Sequence, residues 1–433
     1  MEKNNIENTL LAILREQVKP ALGCTEPIAV ALAAATAKKY ISGNIEKISV
    51  VVDKNVYKNG ARVRVPGTKM TGLDSAAALG AICGNPDKGL EVLEAASEKD
   101  VEIARRYLRQ KRIKVKLDRE KNILYIRVKI VSPESYAICT IEKEHTNITF
   151  IETDGRIIKD NKSQTTANEV KNEIQNYSLK DFKKFADTVE LEDAPIVKKA
   201  LEINSEIGLK GMENKENFAY QLRESLIEEG ENPEKSVFTY PGILAGAGVY
   251  ERMSGAKKPV MIVAGSGNHG LAATLPLVAI KRIKKFDNEK LFRAIILSCL
   301  ITIYIKSFTG VLSPICGAGV VAGSAVSGAI TYMMGGTVNQ IRIAVNNSMG
   351  TLAGMVCDGG KRGCALKISG AVSVAVEGAL LALHNIGIPD KEGIVRKDVE
   401  ETIKNLGYLS KKGMSPVDTC IIDILSGEGG QLA

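Results

Sequence analysis

The sequence predicts an α+β fold: an N-terminal domain of helices and antiparallel strands, then a mostly all-α, Gly/Ala-rich helical domain. Three observations carry this. Short β-branched runs separated by turn residues crowd residues 47–152. After Ser178 almost everything follows helical periodicity. From residue 310 the chain is dense in Gly and Ala, which lets helices pack closely. The polar stretch 154–178, beginning D-G-R-I-I-K-D-N-K-S-Q-T-T-A-N, marks the boundary. The expected domains are 1–177 and 178–433, with residues 1–42 free to pack on the second. A chain of 433 residues has core enough for both.

The elements follow in order. Ile6, Leu10, Leu14 and Val18 recur at helical spacing, and Pro20 stops that helix. Thr25 is a good N-cap for a second helix, with Glu26 and Pro27 in its first turn and Lys38 and Lys39 in its last. I-S-V-V-V-D from Ile48 and A-R-V-R-V-P from Ala61 read as strands, and Asn59-Gly60 as the turn before the latter. Helices are expected over Asp74–Cys83 and Lys88–Arg109. Four β runs between 112 and 152 then form an antiparallel meander. In the helical half, P-V-M-I-V-A from Pro259 is a short strand entering G-S-G-N-H-G.

Composition excludes several functions. Hydrophobic residues make up 45% and charged residues 25%, as in ordinary globular proteins. The net charge of +8 is scattered and nowhere paired with aromatic residues, so no nucleic-acid partner is expected. The N-terminus is polar without an apolar core, and eight cysteines read as thiols or metal ligands rather than disulfides, which points to the cytoplasm. Ala294–Ile305 is the most apolar stretch, but it ends at Lys306, short of the ~20 residues of a membrane span. It and the Gly/Ala-rich run Gly317–Met334 read as buried helices, so no membrane contact is expected.

Four cysteines stand in distinctive surroundings. Cys316, Cys357 and Cys364 lie in P-I-C-G-A-G, M-V-C-D-G-G and R-G-C-A-L. Three thiolates hold three irons of a [4Fe–4S] cubane and leave the fourth open as a Lewis acid. The spacing fits neither a zinc knuckle nor a ferredoxin, and buried inert thiols are the competing interpretation. Cys24, in G-C-T-E-P, sits where a helix begins; orphan N–H groups and the helix dipole favour a thiolate there. It is a nucleophile, base or ligand, or merely a small residue in a tight turn.

Other segments offer polar groups. G-S-G-N-H-G presents Ser266, Asn268 and His269 at a strand-to-helix junction suited to a carboxylate, although it is not the dinucleotide fingerprint. P-G-T-K-M-T-G offers Thr68 and Thr71. Ser307, Thr309 and Ser313 precede Cys316 and are placed to support it. Cys83, Cys139, Cys299 and Cys420 lie in apolar runs or the tail and read as inert. Walker A, H-E-x-x-H and G-x-S-x-G motifs are absent, and no lysine is singled out for pyridoxal phosphate.

Taken together, G-C-T-E-P-I-A-V-A-L-A-A-A, V-P-G-T-x-M-T-G, G-S-G-N-H-G and the spaced C-G-A-G, C-D-G-G and G-C-A-L resemble the L-cysteine desulfidase family, which is related to the α-domain of iron–sulfur L-serine dehydratases. The resemblance spans almost the whole chain. It implies β-elimination of L-cysteine to pyruvate, hydrogen sulfide and ammonia at an oxygen-sensitive [4Fe–4S] cluster, without pyridoxal phosphate. By the same similarity Cys316, Cys357 and Cys364 are the metal ligands and Cys24 is the active-site cysteine. His269 is a second candidate base, and Thr68, Thr71, Ser266, Asn268 and Thr309 are candidates for binding an amino-acid substrate. A homodimer is expected. Relative to serine dehydratases, the gap between the second and third cysteines is shorter and the chain ends G-G-Q-L-A without a cysteine; both favour the desulfidase branch. Iron–sulfur L-serine dehydration is the alternative, and an iron–sulfur redox sensor or electron carrier stands behind it.

Overall fold

A computed structural model describes residues 2–121, 123–161, 173–310 and 312–426. Much of the expected boundary segment, and the terminal G-G-Q-L-A, lie outside the described residues.

The chain opens with helix α1 (Glu2–Gln17) and strand β1 (Val18–Leu22). Next come α2 (Thr25–Lys38), β2 (Lys47–Val52), α3 (Lys54–Gly60), α4 (Gly72–Cys83) and α5 (Glu98–Arg109). Strands β3 (Ile113–Leu117), β4 (Tyr125–Val131), β5 (Tyr136–Glu142), β6 (Ile148–Thr153) and β7 (Arg156–Asp160) follow. With β2 they form one sheet in the order β3-β2-β4-β5-β6-β7. Ile48, Val50 and Val52 alternate into the core, as one buried sheet face requires. Helix α2 crosses that face beside α4, and the two touch so closely that a Cβ on Gly80 would lie 2.2 Å from the Ala31 carbonyl oxygen.

Four details depart from the sequence reading. The sheet is mixed, because β3 runs parallel to β2, with Ile48 opposite Ile113. Residues 61–66 form no strand, only the bridge Arg64–Thr71. Both edges of β2 are already taken by β3 and β4, so this β-branched run has no free partner. Asn59-Gly60 ends a helix instead of making a hairpin, since Asp53 caps α3 by accepting from the Asn55 and Val56 amides. The supposed linker also contains β7, turned back on β6 through Asp154 and Gly155, both with positive φ.

The second half is helical: α6 (Leu179–Thr188), α7 (Pro195–Glu213), α8 (Phe218–Glu228), α9 (Tyr240–Met253), strand β8 (Pro259–Val263), α10 (Gly267–Lys284), α11 (Asn288–Thr309), α12 (Gly323–Met333), α13 (Val338–Leu352), α14 (Cys364–Leu383), α15 (Val399–Tyr408) and α16 (Val417–Ser426). Every residue of α9 is buried, packed among α7, α10 and α14. Helices α11 and α14 are long and apolar enough to cross a membrane by length and composition; α11 is mostly buried inside the protein, and α14 keeps one exposed face with Leu366, Leu380 and Leu381. The first residues tie the halves together: β1 pairs antiparallel with β8, Val18 opposite Val263.

Candidate active site

Residues from both halves converge on one cavity of about 100 Å³. Cys24 and Glu26 come from the start of α2, Asn59 from the end of α3, His145 from the β5–β6 loop, and Arg252 from the end of α9. Ser266, Asn268 and His269 come from the turn into α10, and Lys306 from the end of α11. Cys316, Cys357 and Cys364 complete the wall.

Backbone pairing aligns Cys316 with Cys357. The Ile315–Val356 bridge zips the loop before α12 to the loop after α13. The Cys316 amide donates to the Met355 carbonyl at 2.8 Å, and the Cys357 amide to the Pro314 carbonyl at 2.6 Å. Cys364 begins α14, and its thiol points back at the Gly359 carbonyl, 3.7 Å away. Gly359 has φ +97°, and a Cβ there would lie 2.5 Å from the Lys58 carbonyl oxygen, so only glycine lets this loop lie against α3.

Among the described residues no three or more His, Cys, Asp or Glu stand close enough to share a single metal ion. A four-iron cubane is wider than one ion, and its thiolates stand correspondingly further apart. The donor set fits that wider group: three sulfurs line the cavity, with glycines at 317, 359 and 360 leaving room between them. Burial, followed by the charges of Cys357 and Cys364, pushes the Cys316 thiol up to about 12. Burial also raises Cys364. Cys316 and Cys364 therefore carry protons until a cation displaces them. Lys367, ion-paired with Asp358, supplies positive charge beside Cys316 and Cys364.

Cys24 is the N-cap of α2 and Thr25 is already helical, so the helix starts one residue earlier than the sequence suggested. The helix N-terminus does not leave Cys24 ionised. Burial and then the Glu26 charge raise the thiol well above its ordinary value. The thiol donates to Glu26 Oε2 at 3.0 Å. Glu26 also accepts from Thr25 Oγ1 at 3.2 Å and from Asn59 Nδ2 at 2.9 Å. Burial pushes this carboxyl up, but the His145 charge and the hydrogen bonds from Cys24 and Asn59 outweigh it, so the group is lowered and ionised. Asn59 links this pair to the cysteines, its Oδ1 lying 3.6 Å from Cys357 Sγ.

The opposite wall is cationic. Arg252, 3% exposed, donates to Asn268 Oδ1 at 2.8 Å and to the Gly23 carbonyl at 2.7 Å, while its buried Nε has no partner. No carboxylate pairs with it in the salt bridges of the described residues, so it can receive one from outside. His269 Nδ1 lies 3.1 Å from the Val263 carbonyl and must donate to it, which leaves Nε2 as an acceptor facing Gly317. A Cβ on Gly317 would stand 2.3 Å from that nitrogen. Burial first, then Lys306, lowers His269 to about 3, so the ring is neutral.

Of the residues the sequence singled out, Cys24, Ser266, Asn268, His269, Ser313, Cys316, Cys357 and Cys364 share the cavity. Thr68, Thr71 and Thr309 are not among its lining residues. The Thr68 hydroxyl closes its own turn, donating to the Val65 carbonyl and accepting from the Met70 amide. Thr71 caps α4 through its backbone, and Thr309 is buried at the end of α11. Sequence reasoning missed Glu26, Asn59, His145, Arg252 and Lys306. Glu26 was visible inside G-C-T-E-P but was read only as a helix-dipole partner, and His145 is one of three histidines. Arg252 carries no local signal.

The serine dehydratase alpha chain family model matches residues 87–423. A UPF0597 protein of Caldanaerobacter subterraneus is 39% identical over 419 residues, covering 96% of this chain and 97% of that protein. One from Thermosipho africanus is 41% identical, over 95% and 98% of the two chains. Another, from Clostridioides difficile, is 36% identical over 96% and 99%.

Proposed function

The chain belongs to the serine dehydratase alpha chain family, and from that premise we propose that it is a lyase that β-eliminates L-cysteine to pyruvate, hydrogen sulfide and ammonia. One observation carries this most: three thiols line the same cavity as a buried arginine that has no carboxylate partner among the described residues. Cys316, Cys357 and Cys364 would hold a [4Fe–4S] cluster. When bound, the cluster supplies a Lewis-acidic iron that improves the β-substituent as a leaving group.

The chain's own residues do the rest. Arg252 and Asn268 hold the substrate α-carboxylate, the arginine through its charge and fork geometry. Cys24 meets the α-carbon as a thiol hydrogen-bonded to a carboxylate. It accepts the α-proton as its own proton passes to Glu26, which ends as the acid. This replaces the free thiolate expected at the helix start with a thiol–carboxylate pair. Loss of the β-substituent leaves aminoacrylate, which tautomerises and hydrolyses to pyruvate and ammonia. His269 stays neutral and keeps Nε2 against the Cys316 turn. L-Serine dehydration is the second reading, favoured by the family's own description.

An anaerobic assay of sulfide, ammonia and pyruvate from L-cysteine, beside pyruvate from L-serine, decides between them. Sulfide and pyruvate in equal amounts, with a higher kcat/KM for L-cysteine, is the expected result. Turnover of serine alone transfers the assignment to dehydration, and turnover that requires added pyridoxal phosphate overturns both.

A further inference from the structure

A second cavity lies behind the first, lined by Glu16, Gln17, Lys19, Glu144 and Thr146 with a few apolar neighbours. The two cavities have only His145 and Gly265 in common. Gly265 contributes no side chain, so the His145 imidazole is the one side chain standing in both. A Cβ on Gly265 would lie 3.8 Å from His145 Nδ1, which places the ring directly over this glycine. His145 is 7% exposed, while Glu16 and Glu144 beyond it are half-buried and Lys19 is exposed.

The inner side needs such a connection. Cys24 and Glu26 are 7% and 6% exposed. The side-chain donors to Glu26 are Cys24 and Thr25, both themselves buried, and the Asn59 amide, which does not relay protons. The Asn147 amides fasten the loop that carries His145 to the Glu144 and Glu142 carbonyls.

We propose that His145 is the proton relay between the Cys24–Glu26 pair and the outer cavity. This deepens the elimination reading and rests on it. As the α-proton reaches Cys24 and the thiol proton reaches Glu26, His145 takes that proton from the carboxylic acid and gives one up on its outer side. Glu26 and His145 return to their starting charges, and no electrons leave or enter the site. One proton passes from the α-carbon to solvent, matched by the one solvent returns to the departing sulfide. The charged groups bearing on His145 are Glu26 within, with Arg252 and Lys306 further along the inner cavity beside the neutral His269, and Glu16, Lys19 and Glu144 outside.

The test is His145→Gln in the iron-loaded enzyme, read for iron content, KM and kcat across pH with and without added imidazole. The expected result is kcat lower by roughly 10²-fold, unchanged KM and iron, a changed pH profile, and partial rescue by imidazole. Unchanged kcat, or a loss that imidazole does not restore, overturns the relay. A second measurement needs neither turnover nor that variant. The protein has three histidines, so ¹⁵N-histidine spectra resolve the His145 titration, and Glu26→Gln should move its midpoint down. An unmoved midpoint overturns the relay even if elimination is established. A moved midpoint in a protein that turns over neither amino acid leaves the Glu26–His145 coupling standing but rejects the elimination reading, and with it the relay.

Discussion

Replacing Cys357 by Ala removes one of three thiols from the wall, and two hold a cubane poorly. Cys316→Ala, Cys357→Ala and Cys364→Ala are therefore expected to lose most of their iron and acid-labile sulfide after anaerobic reconstitution. Cys299→Ala, whose thiol lies buried in α11 away from the cavity, should retain both. A full iron complement in Cys357→Ala would remove the basis for the ligand assignment. Cys24 and Arg252 act differently. Cys24→Ala and Glu26→Gln should keep iron and lose roughly 10²–10⁴-fold in kcat, the usual worth of a positioned base. Arg252→Gln should raise KM roughly tenfold to a hundredfold, because a charge-assisted hydrogen bond to a carboxylate contributes about 1.5–3 kcal/mol. Equal losses of kcat and iron in all of these variants would point to collapse of the cavity instead.

Helix α3 is one short element with several duties. Its cap, Asp53, accepts from the Asn55 and Val56 amides and, through Oδ2, from the Tyr125 amide on β4 at 2.8 Å. Asn59 at its far end reaches the site. Asp53→Asn turns one acceptor into a donor facing an amide, so a loss of about 1–3 kcal/mol in denaturant unfolding is expected. Burial raises Asp53 from 3.8 to about 6. The folded state therefore holds this proton more tightly than the unfolded chain. The associated stability is fully present below pH 3.8 and is lost as pH rises through about 6. Asn does not titrate, so the wild-type-minus-variant difference in stability should shrink across that window. A difference that grows with pH would contradict the burial assignment.

The whole molecule is closed by its last described helix. Lys58 on α3 is fully buried, and its ammonium meets Asp418 on α16 at 2.5 Å, joining residues 360 positions apart. Arg119 and Asp423 add a second, more exposed pair between the halves. Removing one partner of a buried pair strands the other charge and typically costs about 3–5 kcal/mol. Asp418→Ala should lose about that much stability, whereas Lys58→Met with Asp418→Leu should lose much less. Unfolding curves of the two variants give the comparison, and equal losses would show that packing of α16, not charge, holds the closure.

The sequence by itself determined the α+β order, the two buried apolar helices, the β8 entry into G-S-G-N-H-G, and which cysteines stand out. These are local properties: period, turn chemistry and spacing act within a few residues, so a linear reading reaches them. The parallel β2–β3 pair and the missing strand at 61–66 were decided by competition for the two edges of β2, which no segment announces. The protonation of Cys24 was likewise settled in three dimensions. The local helix dipole favours a thiolate, but burial and the carboxylate of Glu26 oppose it more strongly. Arg252 and His145 reach the cavity only because α9 and the β5–β6 loop end there. Desolvation and long-range charge depend on what surrounds a group in space, and that is set by packing between segments up to hundreds of residues apart.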